Sequence, residues 1–204
     1  MYKIAISGKA GSGKDTISKL LVKQLRKANG TNDYIYSENY MKVQYVAFAD
    51  PIKEIARTMF PLLPEIAFTG PSKNRSMPIP GAQKNGQALT VRQLLIDIGT
   101  NGRNYDSNIW LNDFKYSFNK SLLSQNNIFV VTDVRFRNEF DLLKKLGFYK
   151  IRVFRESSDK IDDPSETNQD GINDGEFDYV LNNSGTLSEL NQEVAKIVVL
   201  LKGA

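Results

Sequence analysis

The chain has 204 residues, 41% of them hydrophobic and 25% charged, a formal net charge of +4, and neither cysteine nor histidine. This suits one soluble globular domain with an inserted segment, and it excludes disulfides, thiolate metal sites and imidazole as base or ligand. Chemistry is left to carboxylates, Lys, Arg, hydroxyls, backbone amides or a bound metal. No apolar run reaches the roughly 18 residues of a membrane span, and no leader pattern precedes the first strand, so a cytoplasmic protein is expected. The net charge is too small to argue nucleic-acid binding, no basic–aromatic patch or DNA-binding motif is present, and none is expected to bind directly.

Tyr2 to Ser7 (YKIAIS) predicts a short strand that stops at glycine. From Lys14, the apolar positions Ile17, Leu20, Leu21, Leu25 and Ala28 recur at helical spacing until Asn29-Gly30. Val43 to Ala49 reads as a second strand, and Asp50-Pro51 as an N-cap with proline at the first position of a helix reaching about Phe60. Residues 61–89 hold five of the seven prolines and read as a long loop, a mobile insert within a single domain spanning 1–204. Thr90 caps a helix with Val91, Leu94, Leu95 and Ile98 on one face, and a further helix is expected over Ser107 to Leu123. Ile128 to Thr132 (IFVVT) is the strongest buried-strand signal. A helix from Asn138 to Leu146, strands at Lys150 to Phe154 and Tyr179 to Leu181, and a last helix bearing Leu187, Leu190, Val194, Ile197, Val198 and Leu201 follow. Strands alternating with helices predict a three-layer α/β fold with a parallel sheet.

Charge is unevenly spread. From Ile66 to Ile96 no acidic residue occurs, while Lys73, Arg75, Lys84 and Arg92 do. From Glu156 to Asp178 nine acidic residues face a single Lys160. The first segment suits an anionic ligand, the second solvent.

Gly8 to Lys14 (GKAGSGK) matches a phosphate-binding loop, G-x-x-x-x-G-K, between a strand and an amphipathic helix. In that context Gly11, Ser12, Gly13, Lys14, Asp15 and Thr16 are expected around nucleotide phosphates. The residue after the lysine is Asp15, where such loops usually place Ser or Thr for magnesium. At the end of the IFVVT strand, Asp133 reads either as a carboxylate near magnesium or as a plain N-cap. Arg135 and Arg137 follow just beyond the strand's carboxyl end, where open α/β sheets bind ligands, and suit phosphate.

Longer blocks carry a family resemblance. VAFADPIKEIA (Val46 to Ala56), TVRQLLIDIGTNGRNYDSNIWLNDF (Thr90 to Phe114), VVTDVRFRNEFDLLKKLGFYKIRVFRE and FDYVLNNSGTLSEL resemble successive segments of phage deoxynucleoside monophosphate kinases, as does the GKDT ending of the loop. Only Thr31 to Lys42 and Pro61 to Leu89 show no clear match. The family often has a histidine before a Ser/Thr-Glu pair, whereas Asp163-Pro164-Ser165-Glu166 keeps Ser-Glu without one.

The resemblance implies a P-loop kinase that transfers the γ-phosphoryl group of ATP, with Mg²⁺, to a deoxynucleoside monophosphate. It implies Lys14, Asp15, Arg92 and Arg135 as catalytic residues, with Arg92 and Arg135 at the acceptor phosphate and the transition state. Trp110, Asp133, Arg137 and Asp50 would touch substrate, although a core tryptophan and a capping aspartate are the plainer readings of two of them. Asp15 and Asp133 would serve magnesium through water. Residues 61–89 fall where such kinases carry an acceptor-binding insert. The state is monomer or homodimer, in the cytoplasm of a bacterial host. Alternatives are a kinase for another small acceptor, with Asp15 or Asp133 as base, and a non-catalytic ATP switch associated with DNA.

Overall fold

A parallel sheet is the organising element of the chain. The computed structural model describes residues 1–31, 40–69, 75–122, 127–156 and 168–203. Lys73, Lys160 and the Asp163–Glu166 stretch lie outside them. The described chain forms two units, residues 1–47 with 117–204, and residues 48–116.

In the first unit five strands run parallel: β1 (Tyr2–Ser7), β2 (Lys42–Tyr45), β5 (Asn127–Val131), β6 (Tyr149–Phe154) and β7 (Tyr179–Asn182), in the order β2-β5-β1-β6-β7. Ile4 pairs with Val130 on one side and Tyr149 on the other, so β1 is central. The period of two then sorts the side chains into layers. Ile4, Ile6, Ile128, Val130, Ile151 and Val153 face α1 (Lys14–Ala28) and α6 (Leu187–Gly203), packing on Ile17, Leu21, Leu25, Val194 and Ile197. Each fully buried Leu or Ile in such a cluster contributes about 1.5–3 kcal/mol by leaving water. On the opposite face Phe129 and Phe148 meet Phe118 of α4 (Ile109–Ser121), with ring centroids 5.0 and 5.4 Å away. Phe140 of α5 (Arg137–Lys145) packs edge-on to Phe177 at 4.9 Å. This is the expected three-layer α/β arrangement. Gly147, at φ +73°, lets the chain leave α5 through a conformation that a side chain would oppose.

Tyr179 ties the edge strand to the last helix, donating to Glu193 Oε2 at 2.6 Å. Burial, and then that carboxylate, push its hydroxyl up to about 12. The folded state therefore keeps a proton that the unfolded chain releases near pH 10. The stability this contributes is complete below about pH 10 and disappears as pH rises towards 12. Urea melts between about pH 9.5 and 11.5 are expected to show a shallower loss of stability in Tyr179→Phe than in wild type. Equal slopes would contradict the assignment.

The second unit holds α2 (Asp50–Met59), a hairpin of β3 (Pro78–Lys84) and β4 (Gln87–Thr90), and α3 (Val91–Tyr105). Ala56, Ala67, Phe68, Ile79, Val91 and Leu94 form its buried cluster, and Phe48 stacks on Phe114 with centroids 4.4 Å apart. The segment read as a loop over 61–89 thus carries a hairpin. Its turn is Asn85-Gly86, at φ +52° and +76°, the left-handed pair that a two-residue hairpin requires. Pro78 opens the strand, and the register shifts before Gln83, beside Gly81 at φ +73°. A bulge of this kind is where a strand tolerates proline. Lys84 pairs with both oxygens of Asp97 at 2.6 Å, pinning the hairpin tip to α3.

Two boundaries also move. The second strand ends at Tyr45 rather than Ala49, because Phe48 turns into the second unit's core. Asp50 is the first residue of α2 rather than its cap, the N-cap being Ala49, and Asp50 pairs with Lys53 at 3.0 Å. Thr90 caps α3 as expected, accepting from the Gln93 amide at 3.2 Å.

Candidate active site

The turn from β1 into α1 is shaped by what its glycines avoid. A Cβ on Gly8 would lie 2.6 Å from the Val153 carbonyl oxygen and 2.7 Å from Ser12 Oγ, so only glycine lets the chain pass between β6 and the loop. Gly11 and Gly13 sit at φ +77° and +92°. Gly13 is the N-cap of α1: its carbonyl accepts from Ile17 N at 3.0 Å, and no side chain caps the first turn. The opening amides of the helix, with its dipole behind them, are thus presented to an anion. Lys14 Nζ folds over the loop, donating to the carbonyls of Gly8 at 2.6 Å and Lys9 at 2.9 Å. Asp15 and Thr16 stand exposed on the first turn, as the sequence places them.

The adjacent strand β5 delivers Asp133, half-buried, and buried Val134 to the same carboxyl edge of the sheet. The next turn is fixed by Glu139, a residue that the sequence reading passed over. Its carboxylate, 2% exposed, accepts from the amides of Arg135 at 2.8 Å and Phe136 at 3.1 Å. Phe136, the N-cap of α5, has no acceptor to return, so only the reaching-back half of a capping box exists. The signal in sequence was an acid three positions after a helix start, obscured by the phenylalanine. Arg135, half-buried, is held at its backbone by this carboxylate.

Arg137 stands elsewhere on α5. Its guanidinium donates to Glu176 Oε1 at 2.7 Å and Asp141 Oδ2 at 3.1 Å. The hydrogen bond to Glu176 leads in raising its pKa further, and the same bond holds Glu176 below the usual carboxylate range. A phosphate would have to displace these partners, and solvent screens an exposed pair of this kind strongly.

Beneath the loop lies a buried polar group that no motif announced. Ser7 Oγ donates to the Val134 carbonyl at 3.1 Å and accepts from Arg152 Nη1 at 3.3 Å. Arg152, 5% exposed, also donates to the Gln169 carbonyl at 3.1 Å. These bonds fasten the end of β1 to the turn that carries Asp133 and Arg135, and to residues 168–171. Asn183, after β7, donates through Nδ2 to the Ser12 carbonyl at 2.8 Å.

In the second unit Arg92 lies in the first turn of α3, half-buried. Trp110 is 4% exposed, with Nε1 donating to the Gly99 carbonyl at 3.0 Å and its ring lying where a Gly102 side chain would be. That geometry makes it part of the packing between α3 and α4, with its one polar atom satisfied. Arg75 is half-buried, and Lys84 is engaged with Asp97.

A family model described as deoxynucleotide monophosphate kinase matches residues 68–194, well over half of the chain. The chain belongs to this family. It is also 29% identical over 209 residues to a protein of Acanthamoeba polyphaga mimivirus that is described provisionally as a deoxynucleotide monophosphate kinase, covering 97% of this chain and 96% of that one. The five-stranded parallel sheet flanked by helices fits the family. The family match makes this deoxynucleotide monophosphate kinase an enzyme that phosphorylates deoxynucleoside monophosphates to diphosphates. No described helix is long and apolar enough to cross a membrane.

Proposed function

We propose that the phosphoryl donor is ATP and that residues 8–16 cradle its phosphates. The observation that carries this is the glycine-shaped turn between β1 and α1, with Lys14 folded over it and the uncapped start of α1 beside it. In the reaction a phosphate oxygen of the deoxynucleotide bonds to the γ-phosphorus as the bridging bond to the β-phosphate breaks, releasing ADP. The acceptor phosphate loses its second proton near pH 6, so the nucleophile is ionised at neutral pH and needs no general base. A chain without histidine is suited to that chemistry. The catalytic demand is to offset charge between two polyanions and to hold them in line.

Lys14 supplies a positive charge to the donor phosphates and Arg135 to the transferred group, the latter steadied by Glu139. Arg92, in the second unit, supplies one for the acceptor phosphate. Asp133 and Asp15 offer hard oxygen ligands of the kind magnesium takes. In this reading the ion is held mainly by water and substrate oxygens. When bound, Mg²⁺ would neutralise charge on the ATP phosphates. In this reading Asp15, in place of the usual Ser or Thr, holds a water of that ion's shell. The enzyme is read as phage-encoded, acting in the cytoplasm of a bacterial host.

Two measurements check these roles. Isothermal titration of the protein with Mg-ATP is expected to show one site per chain, weakened strongly by Lys14→Met; no binding would overturn the donor assignment. Asp15→Asn is expected to lower turnover about tenfold even at saturating Mg²⁺. Unchanged turnover would leave Asp15 only the role of an acid favoured in a first helical turn.

A further inference from the structure

We propose that Asn183 is a positioning residue for the donor phosphates, holding the Ser12–Gly13 peptide so that the Gly13 N–H faces the nucleotide. The inference rests on the reading of residues 8–16 as the ATP-phosphate loop. Asn183 Nδ2 donates to the Ser12 carbonyl at 2.8 Å across 171 residues of sequence. A carbonyl only accepts, so the amide nitrogen is the group that faces it. In a trans, planar peptide the C=O and the N–H point in opposite directions. With the Ser12 oxygen turned onto Asn183, the Gly13 amide of the same peptide is turned away from Asn183. Asn183 thereby aims one of the loop's donors before any ligand arrives.

Gly13 is matched to this contact. It combines φ +92° with an approach so close that a Cβ would collide with Asn183 Nδ2. A glycine there therefore serves Asn183 as well as the turn. The segment that carries Asn183 is itself tied down. The Asn183 amide donates to the Phe154 carbonyl at 2.7 Å, Ser184 N donates to Asn182 Oδ1 at 3.1 Å, and Glu156 N donates to Ser184 Oγ at 3.2 Å. Thr186 and Glu189 then close a capping box at the start of α6: Thr186 N donates to Glu189 Oε2 at 2.7 Å and Glu189 N to Thr186 Oγ1 at 3.3 Å. The cost of ordering Asn183 is met in folding, which leaves binding energy for the nucleotide.

The test compares wild type, Asn183→Ala and the nearly isosteric Asn183→Asp. Readouts are the Kd for Mg-ATP by titration calorimetry, kcat, the KM values for ATP and for a deoxynucleoside monophosphate, and Tm. Asn183→Ala is expected to weaken ATP about tenfold, with the KM for the acceptor unchanged and Tm little altered. Asn183→Asp places a carboxylate against the Ser12 carbonyl and beside the anion site. It is expected to weaken ATP by about a hundredfold at pH 8 and by less at pH 5, where the carboxyl begins to regain a proton and a donor. If the alanine variant does not fold, the pH dependence of the aspartate variant carries the test alone. Wild-type affinity in both variants would overturn the inference, as would KM values for both substrates rising together in step with a fall in Tm. Absence of ATP binding in wild type would instead overturn the reading of the loop itself, and the inference with it.

Discussion

Lys14→Met is expected to lower kcat by about two to three orders of magnitude while leaving Tm close to that of wild type. The side chain reaches back over the loop to the carbonyls of Gly8 and Lys9 at 2.6 and 2.9 Å. Those contacts hold the ammonium at the mouth of the turn rather than in bulk solvent. A single donor aimed at developing charge in such a site contributes roughly a factor of 10² to 10³ to turnover. The stability cost is small because the group is only half-buried and its partners are loop carbonyls that water can reach. Steady-state kinetics with ATP and a deoxynucleoside monophosphate, beside a thermal melt, separate the two effects. Near-normal kcat, or a loss matched by unfolding, would remove Lys14 from the chemistry.

Gly8→Ala is expected to harm both folding and activity, through packing rather than backbone strain. The added methyl would meet the Val153 carbonyl oxygen at 2.6 Å and Ser12 Oγ at 2.7 Å. The hydroxyl can rotate aside, but the carbonyl belongs to the central sheet and moves only with β6. Forcing a methyl into such a contact costs about 1–3 kcal/mol, read as a Tm lowered by several degrees for a chain of this size. Because the loop moves with Gly8, ATP affinity is expected to fall by at least about tenfold beyond what the melt explains. Gly171→Ala is the control, since a Cβ there meets nothing within 4 Å. Equal behaviour of the two variants would mean that the loop has more room than its geometry gives it.

The sheet and the glycine-rich turn between β1 and α1 were legible in sequence because each signal is local. IFVVT is an unbroken apolar run, and GKAGSGK lies between a strand pattern and a helical one. Helix ends followed Gly30, Thr90 and Gly147, whose capping chemistry acts within a few residues. The hairpin at 78–90 was not read, because Pro78 and Pro80 argue against a strand and the bulge at Gly81 that reconciles them is visible only in three dimensions. Asn85-Gly86 was the available signal.

Around the site the limits are of another kind. Arg137 looked suited to phosphate, but Glu176, 39 residues away, engages it. Trp110 was expected to touch substrate or to lie in the core, and it packs on Gly99 and Gly102. Arg152, Gln169 and Asn183 support the loop through contacts spanning 17 to 171 residues, which no local pattern encodes. Glu139 follows a phenylalanine cap that hides its role. Sequence thus named candidate groups for phosphate, while the side chains that hold them in place emerged only from the pairing of distant strands.

The most direct test incubates the protein with γ-labelled Mg-ATP and each of dAMP, dGMP, dCMP and dTMP in turn, with hydroxyl-bearing acceptors alongside. Labelled deoxynucleoside diphosphate is expected with at least one of the four, together with equimolar ADP and loss of both in Lys14→Met. Transfer to none of the four deoxynucleotides, or transfer confined to a hydroxyl acceptor, would contradict the account.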